Sequence, residues 1–327
     1  MRHRKSPVRL PRGRSRRAYD RRVDAEVDPG TNTREAGTGS APTPCRTPRR
    51  APRPGALARA LALSCHPGPV VAVTTLTLAL AVTAGHGAGR CLLLTAAVLT
   101  GQLSVGWCND AYDARRDIAT GRRDKPVAAG TVGEGTVWAG AFGALALCVP
   151  LSLACGALAG TAHLIAVAAA WAYNLRLKAT PLSWLPYAIG FAGLPALVSL
   201  SLPGSPWPAW WAACAGALLG VGAHLADVLP DIRADLANGV RGLPHRLGAA
   251  GTRLLLPVPL VAASVVLTLG PQGRPGMGAV LVPLAAGSIA VTGLVLGRRR
   301  EKAPFVGAVA VAALDVGLLM AHGTGVT

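Results

Sequence analysis

Long apolar blocks separated by short polar stretches are the feature that most constrains what this chain can fold into. Nine blocks have about the 20 residues that a helix needs to cross the hydrocarbon core of a bilayer. Their approximate limits are 67–86, 91–110, 132–152, 156–174, 184–202, 208–229, 252–270, 277–297 and 303–322. Of all residues, 51% are hydrophobic and only 15% are charged. The sequence therefore predicts an all-α fold, a polytopic membrane helical bundle of about nine transmembrane helices.

Basic residues accumulate on one side of these predicted spans. Alternate loops hold 14 Lys or Arg on one side, and only Arg90 and Arg274 on the other. Because cytoplasmic loops are enriched in Lys and Arg, we expect the basic loops and the N-terminus to be cytoplasmic. The chain is rich in Ala, Gly, Pro and Arg, as is typical of GC-rich coding sequence. We therefore expect a bacterial plasma membrane protein.

The N-terminal segment 1–59 differs in composition from the rest of the chain. It contains 16 Lys or Arg against 5 Asp or Glu and has almost no apolar periodicity. Such a segment cannot bury enough apolar surface to offset the entropy lost on ordering. We expect a disordered basic tail, followed by a membrane domain over 60–327. The tail either lies on anionic lipid headgroups or is a dispensable extension, and whether it is translated is open. Because most of the net charge lies here, the charge does not predict a nucleic-acid partner.

Acidic residues are rare in the membrane domain and are concentrated in two places. After residue 59 the chain has ten Asp or Glu, and seven of them lie in two short stretches. These are Asp110, Asp113, Asp117 and Asp124 in the first stretch and Asp227, Asp231 and Asp235 in the second. Both stretches begin at the predicted cytoplasmic end of a span. Randomly placed solvated loops would not concentrate the acids in this way.

The spacing within each stretch is helical. One trio begins at Asn109 and the other at Asp227, and members of each trio are four residues apart. We expect each trio to share one face of a helix, where like charges repel. Salt bridges to neighbouring basic residues or a divalent metal ion would offset that repulsion. The neighbouring basic residues are Arg115, Arg116 and Arg233. Oxygen ligands suit Mg²⁺, which binds through a few carboxylates together with substrate phosphates.

The two acidic stretches also match each other along the chain. A shift of 118 residues places Asn109 on Asp227, and six further positions match at the same offset. The matched pairs are Asp113 with Asp231, Asp117 with Asp235, Gly121 with Gly239, Arg123 with Arg241, Pro126 with Pro244 and Gly130 with Gly248. The offset predicts an internal repeat four helices long. Because four is even, the repeat is parallel, with both acidic stretches on the same side of the membrane.

Three motifs in this order resemble those of a known family. NDAYDARRD (109–117), continued by GRRDKPVAAG (121–130), is similar to the first aspartate-rich motif of the UbiA superfamily of intramembrane prenyltransferases. YNLRLKATP (173–181) resembles the conserved loop after that family's fourth helix, and the stretch 227–248 resembles its second aspartate-rich motif. The resemblance covers 60–322. It implies a helical bundle around a central cavity and Mg²⁺-dependent transfer of a prenyl group from an isoprenyl diphosphate to a lipid-soluble, commonly aromatic, acceptor.

The resemblance also implies roles for individual residues. Metal-binding positions are matched by Asn109, Asp110, Asp113, Asp117, Asp227, Asp231 and Asp235. The candidates for diphosphate contact are Arg123, Lys125, Arg176, Lys178 and Arg241. Catalytic roles would fall to Asp113, Asp117, Asp231, Asp235, Lys178 and Tyr173.

Two matched positions depart from the family pattern. Lys125 stands where many members have Arg, which keeps the charge but not the forked geometry. The second motif spaces its acids four and four, where many members have three and four, so the direct role of Asp227 is open. The ring of Tyr173 is a candidate for stabilising a carbocation, although aromatic residues at the membrane interface are also common without such a role.

Two other functions compete with prenyl transfer. A membrane terpene cyclase of the same superfamily needs the metal–diphosphate site but no acceptor. A transporter or lipid carrier would bind cations with acids midway through its spans, whereas the acids here lie at the predicted span ends.

Overall fold

A computed structural model of the protein describes residues 54–271, 277–300 and 302–321, and throughout these ranges its regular structure is helical. The first six α-helices are α1 (Pro54–Ser64), α2 (Pro67–Thr83), α3 (Ala88–Ala119), α4 (Glu134–Ala154), α5 (Ala157–Leu175) and α6 (Leu185–Leu200). They are followed by α7 (Trp210–Val228), α8 (Ile232–Ala237), α9 (Leu243–Leu255), α10 (Pro257–Leu269), α11 (Met277–Leu296) and α12 (Ala303–Ala321). A short 3₁₀-helix at Leu177–Ala179 follows α5. The all-α prediction is confirmed.

Several of these helices can cross a membrane. Within the described residues, five are long and apolar enough to do so, or up to seven if each bent pair of helices forms one span. The bent pairs are α1 with α2, at 72°, and α9 with α10, at 48°. Two shorter apolar helices, Leu185–Leu200 and Val280–Leu296, accompany them. The protein is an integral membrane protein, while the count of nine spans stays a prediction.

Ordered helix begins earlier than the composition indicated. The predicted tail ended at residue 59, but α1 begins at Pro54, six residues before the predicted start of the membrane domain. The Nε1–H of Trp107 on α3 donates a hydrogen bond to the backbone oxygen of Leu61 (2.8 Å), which fixes α1 against α3. The rest of the predicted tail, 1–53, lies outside the described residues.

Close helix packing around the cavity depends on glycine. On α7, a Cβ at Gly216 would lie 2.7 Å from the backbone oxygen of Phe191, and one at Gly220 would lie 2.3 Å from that of Tyr187. Both distances are shorter than real Cβ contacts, so α6 and α7 can approach this closely only because both positions lack side chains. This contact places Tyr187 and the end of α7 beside one another.

The two acidic stretches have different backbones, which corrects one prediction. The first stretch lies on α3, which is continuous to Ala119, so its trio shares one helical face. The second is interrupted: α7 ends at Val228 and α8 begins at Ile232. Pro230 has no N–H to continue the helix, and the N–H of Asp231 donates to the oxygen of Val228 (3.0 Å), three residues back.

The prediction that the second trio shares one face of a continuous helix is therefore wrong. The backbone of the second stretch does not match that of the first, so the internal repeat stays a prediction. Tertiary packing nevertheless brings all three acids, beginning with Asp227, to the wall of the same cavity as the first trio.

Candidate active site

A continuous cavity of about 960 Å³ lies among α2, α3, α5, α6 and α7. One end is lined by acidic and basic side chains from both acidic stretches. The other end is mostly apolar, with Val98, Val167, Phe191 and Leu194 in its wall. An anionic headgroup with its counter-ions would fit the first end and a hydrocarbon chain the second.

Asp113 is the most strongly paired acid of the site. It is 7% exposed, and Lys178 Nζ lies 2.6 Å and 2.7 Å from its two carboxylate oxygens. Arg116, one turn later on α3, donates a third hydrogen bond at 2.8 Å. Burial lowers the pKa of Lys178, and the charge of Asp113 opposes that shift. Asp113 therefore forms the salt bridges that the sequence left as one possibility. It also lies in the cavity wall.

Asp110 lies behind the cavity wall rather than in it. Its carboxylate is 1% exposed, and Lys125 Nζ lies 3.0 Å from one of its oxygens, close enough for an ion pair but without hydrogen-bond geometry. Lys125 Nζ also lies 3.2 Å from Nε2 of His66, in the bend between α1 and α2. Lys125 and His66 both line the cavity. Asp110 therefore holds a cation in the wall.

Asp117 and Asp231 are the acids of the cavity wall whose carboxylates have no side-chain partner among the described residues. Both line the cavity, and neither carboxylate has an ion pair with another described residue. Burial raises the pKa of Asp231, Arg122 opposes the shift and Asp235 adds to it. Arg122 also lines the cavity and donates a 3.1 Å hydrogen bond to Asp124, which holds the pKa of Asp124 below its usual value. A cation bound at these carboxylates would stabilise their ionised form against the effect of burial.

Neutral side chains orient the other acids of the second stretch. The hydroxyl of Tyr187 donates a 2.6 Å hydrogen bond to Asp227 Oδ2. Nδ1 of His245 accepts from the backbone N–H of Gly242, so Nε2 of that ring donates to Asp235 Oδ2 at 3.1 Å. In both acids the other carboxylate oxygen is left for a ligand.

Asn109 is oriented by a residue that the sequence did not single out. The Asn174 amide donates to the backbone oxygen of Val105 (2.9 Å), so its own oxygen accepts from Nδ2 of Asn109 (3.0 Å). This chain of hydrogen bonds leaves Oδ1 of Asn109 free at the cavity wall. The side chain can therefore act as an oxygen ligand beside the carboxylates.

Most predicted site residues line the cavity, but three of the basic ones do not. Tyr173, Lys125, Lys178 and every predicted metal-binding residue except Asp110 are in its wall. The side chains outside it are those of Arg123, Arg176 and Arg241, all of which are exposed. Lining residues to which the sequence analysis assigned no role include His66, Arg122, Asn174 and Tyr187, and Arg116 was assigned only as a possible ion-pair partner. The spacing of three residues between Asp113 and Arg116 indicates that the two side chains can meet on one helix. Tyr187 has no such local signal, because only long-range packing brings it to the cavity.

The donor atoms suit a hard cation that keeps part of its water shell. Within the described ranges, no three His, Cys, Asp or Glu side chains approach closely enough to enclose a metal ion by themselves. Mg²⁺ does not need such a cage, because it binds through one or two carboxylates, water molecules and substrate phosphates. Carboxylate and amide oxygens facing one open space match that requirement, so the residues present fit Mg²⁺.

Comparisons with known proteins agree with this arrangement. The family model described as "UbiA prenyltransferase family" matches residues 70–312. A solved digeranylgeranylglyceryl phosphate synthase has a TM-score of 0.62 and 13% identity, covering 82% of this chain and 98% of that one. A UbiA homologue from Archaeoglobus fulgidus bound to GPP and Mg²⁺ has a TM-score of 0.60 and 16% identity, covering 80% and 98%.

A third solved structure and a sequence search complete the comparison. The apo UbiA homologue from Aeropyrum pernix K1 has a TM-score of 0.59 and 19% identity, covering 76% of this chain and 97% of that one. At these identities the structural likeness establishes the fold alone. A search of curated proteins finds no match. The motif resemblance is confirmed at the level of the family.

Proposed function

The chain belongs to the UbiA prenyltransferase family, and we propose that it transfers an isoprenyl group from an isoprenyl diphosphate to a lipid-soluble aromatic acceptor within the membrane. One observation carries the proposal. A single cavity joins both acidic stretches at one end to an apolar half at the other. An amphipathic substrate with a highly charged head and a hydrocarbon tail matches both halves at once.

The acidic end would hold Mg²⁺ together with the diphosphate. Asp117 and Asp231, the unpaired carboxylates, are the first candidates for metal ligands. The oriented oxygens of Asn109, Asp227 and Asp235 complete the set on the two sides of the cavity. When bound, Mg²⁺ would offset the negative charge that develops on the departing diphosphate.

Cationic side chains of the wall would bind the diphosphate directly. Lys125, Lys178, Arg116 and Arg122 all line the acidic end. Ion pairs with Asp113 hold Lys178 and Arg116 in this wall. On substrate binding, we expect them to contact the phosphate oxygens while Asp113 turns toward the metal ion.

The rest of the cavity favours reaction with the acceptor over reaction with water. Its apolar half would surround the isoprenyl chain, so that the cation formed when the C1–O bond breaks is shielded from water. The ring of Tyr173 packs edge-on against that of Tyr187, with centroids 5.3 Å apart, and would face a developing positive charge. The electron pair of the broken bond leaves with the diphosphate. The acceptor forms a new bond to C1 and loses a proton.

A donor and acceptor assay tests the proposed function. Purified full-length protein is incubated with an isoprenyl diphosphate, Mg²⁺ and a panel of lipid-soluble aromatic compounds, and both diphosphate and prenylated product are measured. We expect release that depends on the acceptor and stops when EDTA removes the metal. Acceptor-independent release with a cyclic hydrocarbon product would instead identify a terpene cyclase, and no release from any donor would favour a carrier.

The orientation in the membrane forms part of the same proposal. The acidic end would face the cytoplasm of a bacterial cell, because the basic loops lie on that side of the predicted spans. Introducing a single cysteine at exposed Arg123, in a background without reactive cysteines, tests this with a membrane-impermeant thiol reagent. Labelling of intact spheroplasts from outside would contradict the proposed orientation.

A further inference from the structure

Of the α5 residues that line the cavity, His163 is the one farthest along the helix from the acidic end. His163 is 6% exposed and belongs to the face of α5 that also carries Val167, Tyr173 and Asn174 to the cavity. Apart from Gln102 of α3, the lining residues of α3, α5 and α6 at this level are apolar, so a polar ring here is unusual.

Hydrogen bonds fix the orientation of this ring. The hydroxyl of Ser152 donates its single proton to the backbone oxygen of Cys148 at 2.6 Å. The same oxygen therefore accepts from Nδ1–H of His163, at 2.8 Å. Nε2 is the remaining polar atom of the ring. It has no hydrogen bond to another residue in the described ranges and is not among the fully buried atoms, so it is accessible from the cavity. The imidazole is anchored through Nδ1, and Nε2 is open to whatever occupies the cavity.

The facing helix leaves room for the ring. A Cβ at Gly101 of α3 would lie 3.3 Å from both Cε1 and Nε2 of His163 and 3.0 Å from a methyl group of Val167. Both distances are tighter than ordinary van der Waals contact, so the edge that carries Nε2 occupies space left by the missing side chain. Val98, one turn before Gly101, lines the cavity at the same depth.

The depth of His163 can be compared with the length of an isoprenoid chain. It precedes Asn174, beside the acidic site, by eleven residues of continuous helix, or about 16 Å. An isoprene unit has four chain bonds, and three bonds of extended polypeptide span about 3.5 Å, so one unit spans about 4.7 Å. About three units therefore fit between the acidic end and the imidazole.

We infer that His163 is a specificity-determining residue that closes the isoprenoid pocket after about three isoprene units, so that the donor is a short-chain diphosphate of about 15 carbons. This rests on the proposed function. A longer chain that passes His163 would cover Nε2 with hydrocarbon and keep water from it. Leaving a buried polar group unpaired in this way disfavours binding by about tenfold or more.

Two substitutions at His163 test the inference in purified full-length protein. Diphosphate release is measured with Mg²⁺, one acceptor and donors of 10, 15 and 20 carbons. In the wild type we expect the 15-carbon donor to exceed the 20-carbon donor by about tenfold in kcat/KM. His163→Leu removes the polar atom with little change in volume, and His163→Ala also opens space. Both should bring the two donors within about twofold, with the larger shift for His163→Ala.

A control variant on α5 and separate outcomes distinguish failure of this inference from failure of the proposed function. Thr161→Val, on an exposed and non-lining position of α5, should leave the donor ratio unchanged. Equal use of both donors by the wild type would overturn the inference, as would an unchanged ratio in both His163 variants that still release diphosphate. Absence of release from every donor by the wild type would instead overturn the proposed function. If His163→Ala fails to fold, His163→Leu carries the comparison.

Discussion

The two acidic stretches have the same spacing in the sequence but differ in backbone and in charge environment. The first lies on one continuous helix, where Asp110 and Asp113 are buried and paired with Lys125 and Lys178. The second crosses the interruption between α7 and α8, and neutral donors orient its outer acids. In the first stretch Asp110 and Asp113 are thus paired with cations of the protein, whereas no acid of the second stretch has an ion pair with a Lys or Arg among the described residues. Equal spacing of the acids therefore does not give them the same backbone or the same charge environment.

The largest effect expected from this difference appears when one acid of each stretch is neutralised. Asp113→Asn and Asp231→Asn should each lower kcat for diphosphate release by on the order of a hundredfold or more, because each removes charge from the site. Their stabilities should differ. Asp113→Asn leaves Lys178 and Arg116 without their carboxylate and should cost about 3 kcal/mol.

Asp231→Asn should leave stability unchanged or slightly increased. Its pKa is raised in the folded protein, so the ionised form is disfavoured by folding at neutral pH, and Asn removes that penalty. Thermal unfolding in detergent measures both variants, with Glu134→Gln on α4 as a control outside the cavity. A lower midpoint for Asp231→Asn than for Asp113→Asn would contradict the proposed difference between the stretches.

An intermediate effect is expected from repairing the helix interruption. Pro230→Ala restores an N–H, which favours a continuous helix from α7 into α8 and changes the direction of Asp231 and Asp235. We expect kcat/KM to fall by about tenfold while the protein becomes no less stable, since misplaced ligands cost activity without loss of packing. Amide hydrogen exchange over 228–236 should slow in the variant. Unchanged activity together with slower exchange would show that the interruption does not position the acids.

The smallest effect is expected at the hydrogen bond that orients Asp227. Tyr187→Phe removes the 2.6 Å hydrogen bond but keeps the ring that packs against Tyr173. The loss of one hydrogen bond to a partly exposed carboxylate corresponds to about 1 kcal/mol, or about fivefold in kcat/KM. The Mg²⁺ concentration for half-maximal activity should rise with it. Tyr112→Phe, on a tyrosine that does not line the cavity, is the control. A change in kcat/KM equal to that of the control would remove Asp227 from the metal site.

Much of this site was predictable because its chemistry is local in the sequence. Carboxylates four residues apart on one helix face require only helical geometry, so the first trio could be predicted before any tertiary contact was known. For the second trio, the predicted backbone was incorrect. Its spacing suggested one helix, whereas Pro230 interrupts that helix and packing of α7 against α6 brings the acids to the wall.

For the basic residues, position in the motif did not predict which side chains line the cavity. Motif position alone selected Lys125 and Lys178 together with Arg123, Arg176 and Arg241, and only the two lysines line the cavity. Positive charge in these loops serves membrane orientation as well as substrate binding, so its presence does not indicate which side chains turn inward. His163 had no signal at all. Its role depends on Ser152 and Gly101, which packing brings to it from two other helices.

The sequence by itself determined that the chain is an all-helical membrane protein, that it belongs to a prenyltransferase family, and which acids can form a site. The helical membrane fold and the acidic face follow from apolar length and helical periodicity, whereas the family follows from the motif resemblance and the family model. All of these signals are carried within single segments. Only the tertiary structure decided which cations hold Asp110 and Asp113, which donors orient Asp227 and Asp235, and how deep the apolar half extends. Each of these is a contact between helices that are distant in the chain, and it depends on how their surfaces pack.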